Sequence, residues 1–233
     1  MKWAGKAIVV GKFTDYEHSM SSTFRELLAV KYSLQSLSAS FANESIRVYV
    51  DIFSASRILT VVSAKIHLQA LALKMFQICL NNNIRLLPTW VPRELNYVAD
   101  YYSKLRDTDD WSIDNRSFEN FNKRYGPFTI DRFAENLNTK LPHFNSKFYC
   151  PQTSAVDAFT EDWSEENNWI CPHVPLIGSV FRHMQLCKAH GTILLPVWQS
   201  AYFWPFLYPN ALRIASFIRH FSVIDPLLYF GRK

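Results

Sequence analysis

Strand and helix signals alternate along the first 106 residues, and this alternation restricts the possible folds more than any other feature. Short β-branched runs bounded by glycine or polar residues indicate strands, and longer runs with apolar residues three and four positions apart indicate amphipathic helices. The strands are predicted at residues 6–13, 45–53 and 84–91, and the helices at 21–41, 63–83 and after Pro92. The order β-α-β-α-β-α predicts a layered α/β domain, residues 1–106, with a partly parallel sheet.

The composition changes after Arg106, where the chain becomes acidic and polar without apolar periodicity. Residues 107–118 are therefore predicted to be a linker, and residues 119–233 a second, small α/β domain. The predicted elements of this domain are a short strand before Asp131, strands in 167–175 and 192–200, and a helix over 176–190 that Gly191 closes.

Bulk composition favours a globular intracellular protein. The chain is 48% hydrophobic, and no apolar run approaches the roughly 18 residues that span a bilayer. The four cysteines form no CxxC pair, which favours reduced thiols and a cytoplasmic or nuclear location rather than secretion. Residues 1–106 hold 13 lysines and arginines against 7 acids. This basic balance suits a nucleic-acid partner, although a mildly basic surface without such a partner is the alternative.

Three acids occupy telling positions in the first domain. Glu26 lies in the first turn of the first long helix, Asp51 at the end of the next strand, and Asp100 near the start of the last helix. Carboxylates at the carboxyl end of a strand and at neighbouring helix ends can converge on one crevice and bind divalent cations.

Each acid also has a purely structural interpretation. Glu26 completes a Thr23-x-x-Glu26 capping box, Asp51 could terminate its strand, and Asp100 could answer the positive end of a helix.

Together these segments resemble the RNase H domains of DIRS-type, tyrosine-recombinase retrotransposons. The segments that carry the resemblance are SSTFRELLAV (21–30), VYVDIFSA (48–55), LQALALKMFQICLNNNIRLLPTWVPRELNYVADYYSK (68–104) and DDWSI (109–113). The resemblance implies an RNase H-like three-layer fold in which Glu26, Asp51 and Asp100 are the catalytic metal ligands. It further implies Mg²⁺ or Mn²⁺ as cofactor and an RNA–DNA hybrid as substrate. The expected partners are the reverse transcriptase and recombinase regions of the same element. No association with a membrane is expected.

The chain departs from this family at two points. The family's first catalytic Asp lies on a first strand that this chain lacks, so we expect an N-terminally truncated domain with impaired catalysis. Losing one carboxylate from a two-metal site is expected to slow hydrolysis about 10³-fold or more. The second departure is Ile52, which stands where relatives carry a polar residue beside Asp51.

The second domain resembles the phage-type adenine methyltransferase that follows RNase H in these elements. The relevant segments are VDAFTEDWSEENNWICPHVPLIGSVFRHM (156–184) and GTILLPVW (191–198). The family's Asn/Asp-Pro-Pro-aromatic motif falls on Cys171, Pro172, His173 and Val174. A thiol is a poor acceptor for the target amino group, and valine cannot stack on a base. We therefore expect a degenerate cofactor site at Asp131, Cys171 and Pro172, without methyl transfer.

Three further interpretations remain open from the sequence. A group of cysteines and histidines could bind zinc, although their spacing matches no standard module. An aromatic run could stack on bases or fill a core. The whole chain could be a non-catalytic nucleic-acid-binding module, or a decayed reading frame. The zinc candidates are Cys171, His173, His183, Cys187 and His190, and the run comprises Tyr202, Phe203, Trp204, Phe206 and Tyr208.

Overall fold

The computed structural model of the chain describes residues 9–61, 63–104, 112–210 and 213–223, without the side chains of Asp100, Ser103 and Lys104. The chain is a mixed α/β protein with helices and small parallel sheets. It divides into two compact units, Met1–Arg106 with Phe148–Cys150 (unit 1) and Asp107–Lys147 with Pro151–Lys233 (unit 2). Within the described ranges, no helix is both long and apolar enough to cross a bilayer.

Unit 1 is built around two parallel strands and the helices between and beside them. The strands pair in register from Ser45↔Arg85 to Val50↔Trp90, and the chain crosses from one to the other through two helices. The elements in order are α1 (Asp15–Ser19), α2 (Ser22–Leu37), β1 (Ser45–Val50), α3 (Phe53–Thr60), α4 (Ile66–Asn81), β2 (Arg85–Trp90), a 3₁₀ turn (Arg93–Leu95) and α5 (Tyr97–Lys104).

The core of unit 1 lies where α2, α3 and α4 pack their apolar faces together. Leu27 and Leu34 of α2 and Met75 of α4 are almost fully buried, and Ile52 packs against the same cluster. Burying such side chains stabilises the unit by about 1.5–3 kcal/mol each relative to exposure. The buried members of the cluster are Leu27, Leu28, Leu34, Ala55, Ile58, Leu68, Leu71, Met75, Cys79 and Ile84.

The predicted helices of 21–41 and 63–83 and the strand of 84–91 occur with shorter bounds, and the strand of 45–53 ends at Val50. The strand predicted at 6–13 is wrong for residues 9–13, which form no strand, and residues 6–8 lie outside the described part. Helix α3 has no counterpart in the prediction, because its eight residues are too few for a clear apolar period.

Unit 2 is organised by three short parallel strands with aromatic side chains around them. Its central sheet has the order β3-β6-β7, and β4 pairs with β5 separately. The elements are α6 (Asn115–Tyr125), β3 (Ile130–Asp131), β4 (Asn145–Ser146), β5 (Ala155–Val156), β6 (Asn167–Ile170), α7 (Ile177–Cys187), β7 (His190–Ile193) and α8 (Trp204–Leu207), with 3₁₀ turns at Ala158–Thr160 and Val174–Leu176.

The predicted linker 107–118 is wrong at its end, where α6 already begins at Asn115. Asp114 caps this helix by accepting a hydrogen bond from the Ser117 backbone N–H at 3.0 Å. Phe118 is buried against Trp169, with ring centroids 5.1 Å apart. The polar composition of this stretch conceals a helix with one buried face, and residues 105–111 lie outside the described part.

Gly191 does not close the helix predicted over 176–190. Helix α7 ends at Cys187, and the next residue, Lys188, caps it with a φ of 51°, the left-handed conformation common after a helix C-terminus. Gly191 lies within β7 at φ +158°, where a Cβ atom would stand 2.2 Å from the Asn168 carbonyl oxygen. The glycine is needed for close approach of two strands rather than for a turn.

A candidate metal site at the end of the first parallel strand pair

Asp51 and Trp90 mark the carboxyl ends of β1 and β2. Because the two strands are parallel and in register, both residues lie at the same edge of the sheet. Asp51 follows β1 directly, and the Trp90 indole N–H donates a hydrogen bond to the Asp51 carbonyl oxygen at 3.1 Å. The carboxyl edge of a parallel sheet is where α/β proteins place their ligands.

Glu26 faces Asp51 across this edge. Burial raises the pKa of Glu26, the negative charge of Asp51 raises the pKa further, and an interaction with the Asp51 backbone N–H opposes the rise. Since α2 begins at Ser22, Glu26 lies in the second helical turn rather than in the predicted first turn. The structure therefore brings together two of the three acids singled out in the sequence.

The capping-box interpretation of Glu26 is wrong. Ser21 is the N-cap of α2, and its side-chain oxygen accepts a hydrogen bond from the Phe24 backbone N–H at 3.3 Å. The Thr23 hydroxyl instead pairs with the Ser54 hydroxyl at 2.8 Å and so joins the start of α2 to the start of α3. The Glu26 carboxylate interacts instead with the Asp51 backbone N–H.

The third predicted ligand, Asp100, has its backbone in α5, but its carboxylate lies outside the described residues. Among the side chains that are described, no three or more His, Cys, Asp or Glu residues gather into a group that could hold a metal ion. The geometry in hand is therefore that of the Glu26–Asp51 pair alone.

Two exposed aromatic rings border the acid pair. Phe53 begins α3 two residues after Asp51, and its ring meets the Trp90 ring edge-on with centroids 6.1 Å apart. Phe53 is 63% exposed and Trp90 is 45% exposed. No sequence pattern assigns a role to either ring. Trp90 does stand at the end of an apolar run, which is where a strand is expected to end.

Asp131 occupies the matching position in unit 2, at the carboxyl end of β3, but it is buried. Its Oδ2 accepts a hydrogen bond from the Lys140 backbone N–H at 3.1 Å, and its Oδ1 has no hydrogen-bond partner in the described structure. Burial raises the pKa of Asp131 to about 6, and the Lys140 and Phe133 backbone N–H groups hold it from rising further.

Asp131 and Cys171 line one small cavity, as two of the three predicted cofactor residues. They come together because β3 and β6 are neighbouring parallel strands, with Asp131 paired to Trp169. Pro172 follows Cys171 and is buried. The cavity volume is about 10 Å³, which holds roughly one water molecule and is far too small for a nucleoside.

Arg132, next to Asp131, is buried, and its role in holding strands together is not indicated by the sequence. Its guanidinium donates to Asn168 Oδ1 at 2.7 Å and to Asn145 Oδ1 at 2.8 Å, and it lies 5.2 Å from the centre of the Trp163 ring. Asn168 in turn donates to the carbonyl oxygens of Trp163, Glu166 and His190. These are structural bonds that hold β3, β4 and β6 together.

Two of the five zinc candidates, His183 and Cys187, make other contacts in unit 2. His183 Nε2 lies 2.9 Å from the Glu161 carbonyl oxygen and 3.4 Å from Cys187 Sγ, and its ring packs edge-on against Trp163.

In the aromatic run, Phe203 is fully buried, and the Tyr202 hydroxyl donates to the Val174 carbonyl oxygen at 2.7 Å. The run divides between core and surface.

Comparison with known proteins identifies no relative of the chain. No protein-family model, no curated protein and no solved structure matches the chain.

Proposed function

We propose that unit 1 is an RNase H-type nuclease domain that, in an intact element, hydrolyses the RNA strand of RNA–DNA hybrids with Mg²⁺ or Mn²⁺, and that its activity is impaired in this chain. The observation that carries the proposal is the pairing of Glu26 with Asp51 at the carboxyl end of β1. The parallel β1–β2 pair and the packing of α2 beside α4 agree with the layered fold that the sequence resemblance implies.

The acid pair suits a hard divalent cation. Two carboxylates that face each other are stabilised when a cation neutralises them, and the raised pKa of Glu26 reflects burial and the uncompensated charge of Asp51. Glu26, Asp51 and, by the resemblance, Asp100 would hold the ion. When bound, Mg²⁺ supplies Lewis-acid activation of water and stabilises the leaving oxygen in phosphodiester hydrolysis.

The chain's own groups orient the carboxylates. The Asp51 backbone N–H interacts with the Glu26 carboxylate, and the Thr23–Ser54 hydroxyl pair fixes the start of α2 against α3. The Trp90 indole holds the Asp51 carbonyl oxygen. Ile52 packs into the apolar core, so the residue where relatives carry a polar group is used here for packing.

Unit 2 is assigned in the same proposal to a degenerate methyltransferase-like domain without methyl transfer. Its parallel sheet and the position of Asp131 and Cys171 at neighbouring strand ends support this assignment. In an intact element, reverse transcriptase and recombinase regions would be the partners of the chain.

The test is cleavage of a labelled RNA–DNA hybrid in Mg²⁺ or Mn²⁺ by wild type, Asp51→Asn and Glu44→Gln. Glu44 is an exposed acid at the opposite end of β1, roughly 20 Å along the strand from Asp51, so Glu44→Gln is the matched control. We expect Asp51→Asn to lower the cleavage rate about 10³-fold and Glu44→Gln to leave it unchanged. Equal cleavage by all three proteins, or none by any, would contradict the proposal.

A second candidate function is nucleic-acid binding without catalysis. The excess of 13 basic over 7 acidic residues in positions 1–106 favours it. Binding of this kind weakens steeply as salt rises, because counterions compete for the phosphates. A hybrid affinity that is insensitive to salt between 50 and 200 mM (roughly, the range over which phosphate contacts are lost) would exclude it.

A further inference from the structure

We propose that Phe53 and Trp90 form a stacking site for an unpaired nucleobase beside the Glu26–Asp51 pair. The inference rests on the proposed function, because it names the form of nucleic acid that the same site accepts. That form is a strand with at least one unstacked nucleotide next to the hybrid, rather than a fully paired duplex. The two rings, defined here as the aromatic edge, lie at the carboxyl ends of β1 and β2.

The aromatic edge presents ring surface to solvent. Phe53 is 63% exposed, Trp90 is 45% exposed, and their edge-on contact has a centroid separation of 6.1 Å. Isolated exposed aromatic side chains are ordinary on protein surfaces. Trp90 differs because its indole N–H is bonded to the Asp51 carbonyl oxygen at 3.1 Å, which fixes the ring next to the acid. A fixed ring loses little side-chain entropy when a ligand stacks on it.

The charges around the aromatic edge favour a nucleotide over an apolar protein partner. Arg57 lies one helical turn after Phe53 on α3 and is exposed, so its guanidinium is on the same helix face as the ring. Asp51, a member of the acid pair that suits a cation, lies two residues before Phe53 in the chain. An aromatic ring between a cation site and an arginine matches the order of a phosphate, a base and the next phosphate along a strand.

Stacking also restricts the geometry of the bound strand. A base inside a duplex is covered on both faces by its neighbours and cannot lie on a protein ring. Aromatic side chains therefore recognise bases in single-stranded segments, bulges and ends. The aromatic edge consequently selects hybrids with a single-stranded tail or a gap at the point of cleavage.

The experiment measures the affinity of three fluorescent ligands in Ca²⁺, so that binding is separated from cleavage. The ligands are a blunt RNA–DNA hybrid, the same hybrid with a short single-stranded RNA tail, and the tailed hybrid with an abasic first tail nucleotide. The variants are Phe53→Leu and, as control, Phe76→Leu, which makes the same change at a ring of α4 that is 64% exposed. Circular dichroism checks that both variants are folded.

For wild type we expect the tailed hybrid to bind about tenfold more tightly than the blunt hybrid or the abasic ligand. Phe53→Leu is expected to lose that advantage, while Phe76→Leu keeps it. Equal binding of the three ligands by wild type, or an equal loss with the abasic and intact tails in Phe53→Leu, overturns the inference.

The design separates failure of this inference from failure of the proposed nuclease. If wild type cleaves the hybrid in Mg²⁺ but Phe53→Leu binds all three ligands as wild type does, only the stacking site is wrong. If no protein cleaves but the base-dependent loss is present in Phe53→Leu, the stacking site stands and the nuclease proposal fails.

Discussion

Two acids follow parallel strands in this chain, one in each unit, and their surroundings differ in almost every respect. Asp51 directly follows β1, close to Glu26 and beside the exposed rings of Phe53 and Trp90. Asp131 ends β3 beneath the surface, 3% exposed, beside a cavity that holds about one water molecule. The carboxyl end of a parallel strand can thus lie at the protein surface or within the core.

Because their surroundings differ, substitutions at Asp51 are expected to affect function and substitutions near Asp131 to affect stability. A polymeric substrate can reach a carboxylate at the surface of the sheet, whereas it cannot reach one that is buried. We therefore expect substitutions at Glu26 and Asp51 to change metal binding and cleavage while leaving the fold intact. Substitutions near Asp131 should change the free energy of unfolding of unit 2 and leave cleavage by unit 1 unaltered.

The largest effect on stability is expected for Arg132→Leu. It leaves the side-chain oxygens of Asn168 and Asn145 without their donor inside the protein. Breaking a buried charged network of this kind costs about 3–5 kcal/mol of unfolding free energy. Urea unfolding followed by near-ultraviolet dichroism measures it, with Arg182→Leu on the exposed side of α7 as control. A loss below about 1 kcal/mol would mean that unit 2 is not sealed around Arg132.

Asp131→Asn is expected to change how the stability of unit 2 depends on pH. The folded pKa of Asp131 is raised to about 6, so folding favours its protonated form. Its contribution is fully present below the unfolded pKa and is lost as pH rises through 6, to a total of about 3 kcal/mol. Relative to Asp131→Asn, wild type should lose unfolding free energy between pH 4 and 7. A constant difference over that range would place Asp131 in contact with solvent.

The effect of Glu26→Gln on the stability of unit 1 is expected to change sign when a divalent metal is added. Without divalent ions, removal of one of two facing charges should stabilise unit 1 by about 0.5 kcal/mol, as for other like-charged neighbours. With Mg²⁺ the wild type gains stability from binding, whereas the variant does not. Thermal melts with and without 10 mM Mg²⁺ (roughly 100-fold above a weak-site Kd of 0.1 mM) compare the two. The absence of a crossover would argue against a shared cation site.

The start of α2 positions Glu26, and substitutions there are expected to cost about 1 kcal/mol of unfolding free energy or less. Ser21→Ala removes the N-cap hydrogen bond to the Phe24 backbone N–H and should cost about 1 kcal/mol. Thr23→Ala removes only an exposed hydroxyl pair with Ser54 and should cost less. Chemical unfolding of both variants decides between them. A larger loss for Thr23→Ala would restore the capping-box interpretation.

The sequence predicted the order of the long elements of unit 1 because their apolar periods are clear. Helix α4 and strand β2 have ordinary lengths and end signals, and the Asn82 side chain donates to the Ile78 carbonyl oxygen at the predicted C-terminus. Helix α3 is not predicted from the sequence, because eight residues are too few to show an apolar period. In unit 2, the sequence predicts Gly191 as a helix stop, but the glycine instead allows the close contact with Asn168.

The candidate site was predictable in part. Strand order alone brings Asp51 to the end of β1, and helix position brings Glu26 near it. Depth of burial is a tertiary property, so the sequence does not show the contrast between the half-buried Asp51 and the buried Asp131. For the same reason, no local pattern indicated the bond between the Trp90 indole and the Asp51 carbonyl oxygen.

The most direct test of the central contrast is calorimetric titration of Mn²⁺ into wild type, Asp51→Asn and Asp131→Asn. If Glu26 and Asp51 share an open cation site and Asp131 is sealed, wild type and Asp131→Asn bind Mn²⁺ alike, and Asp51→Asn loses at least tenfold in affinity, about 1.4 kcal/mol. Unchanged Mn²⁺ affinity in Asp51→Asn, or a loss confined to Asp131→Asn, would contradict the account.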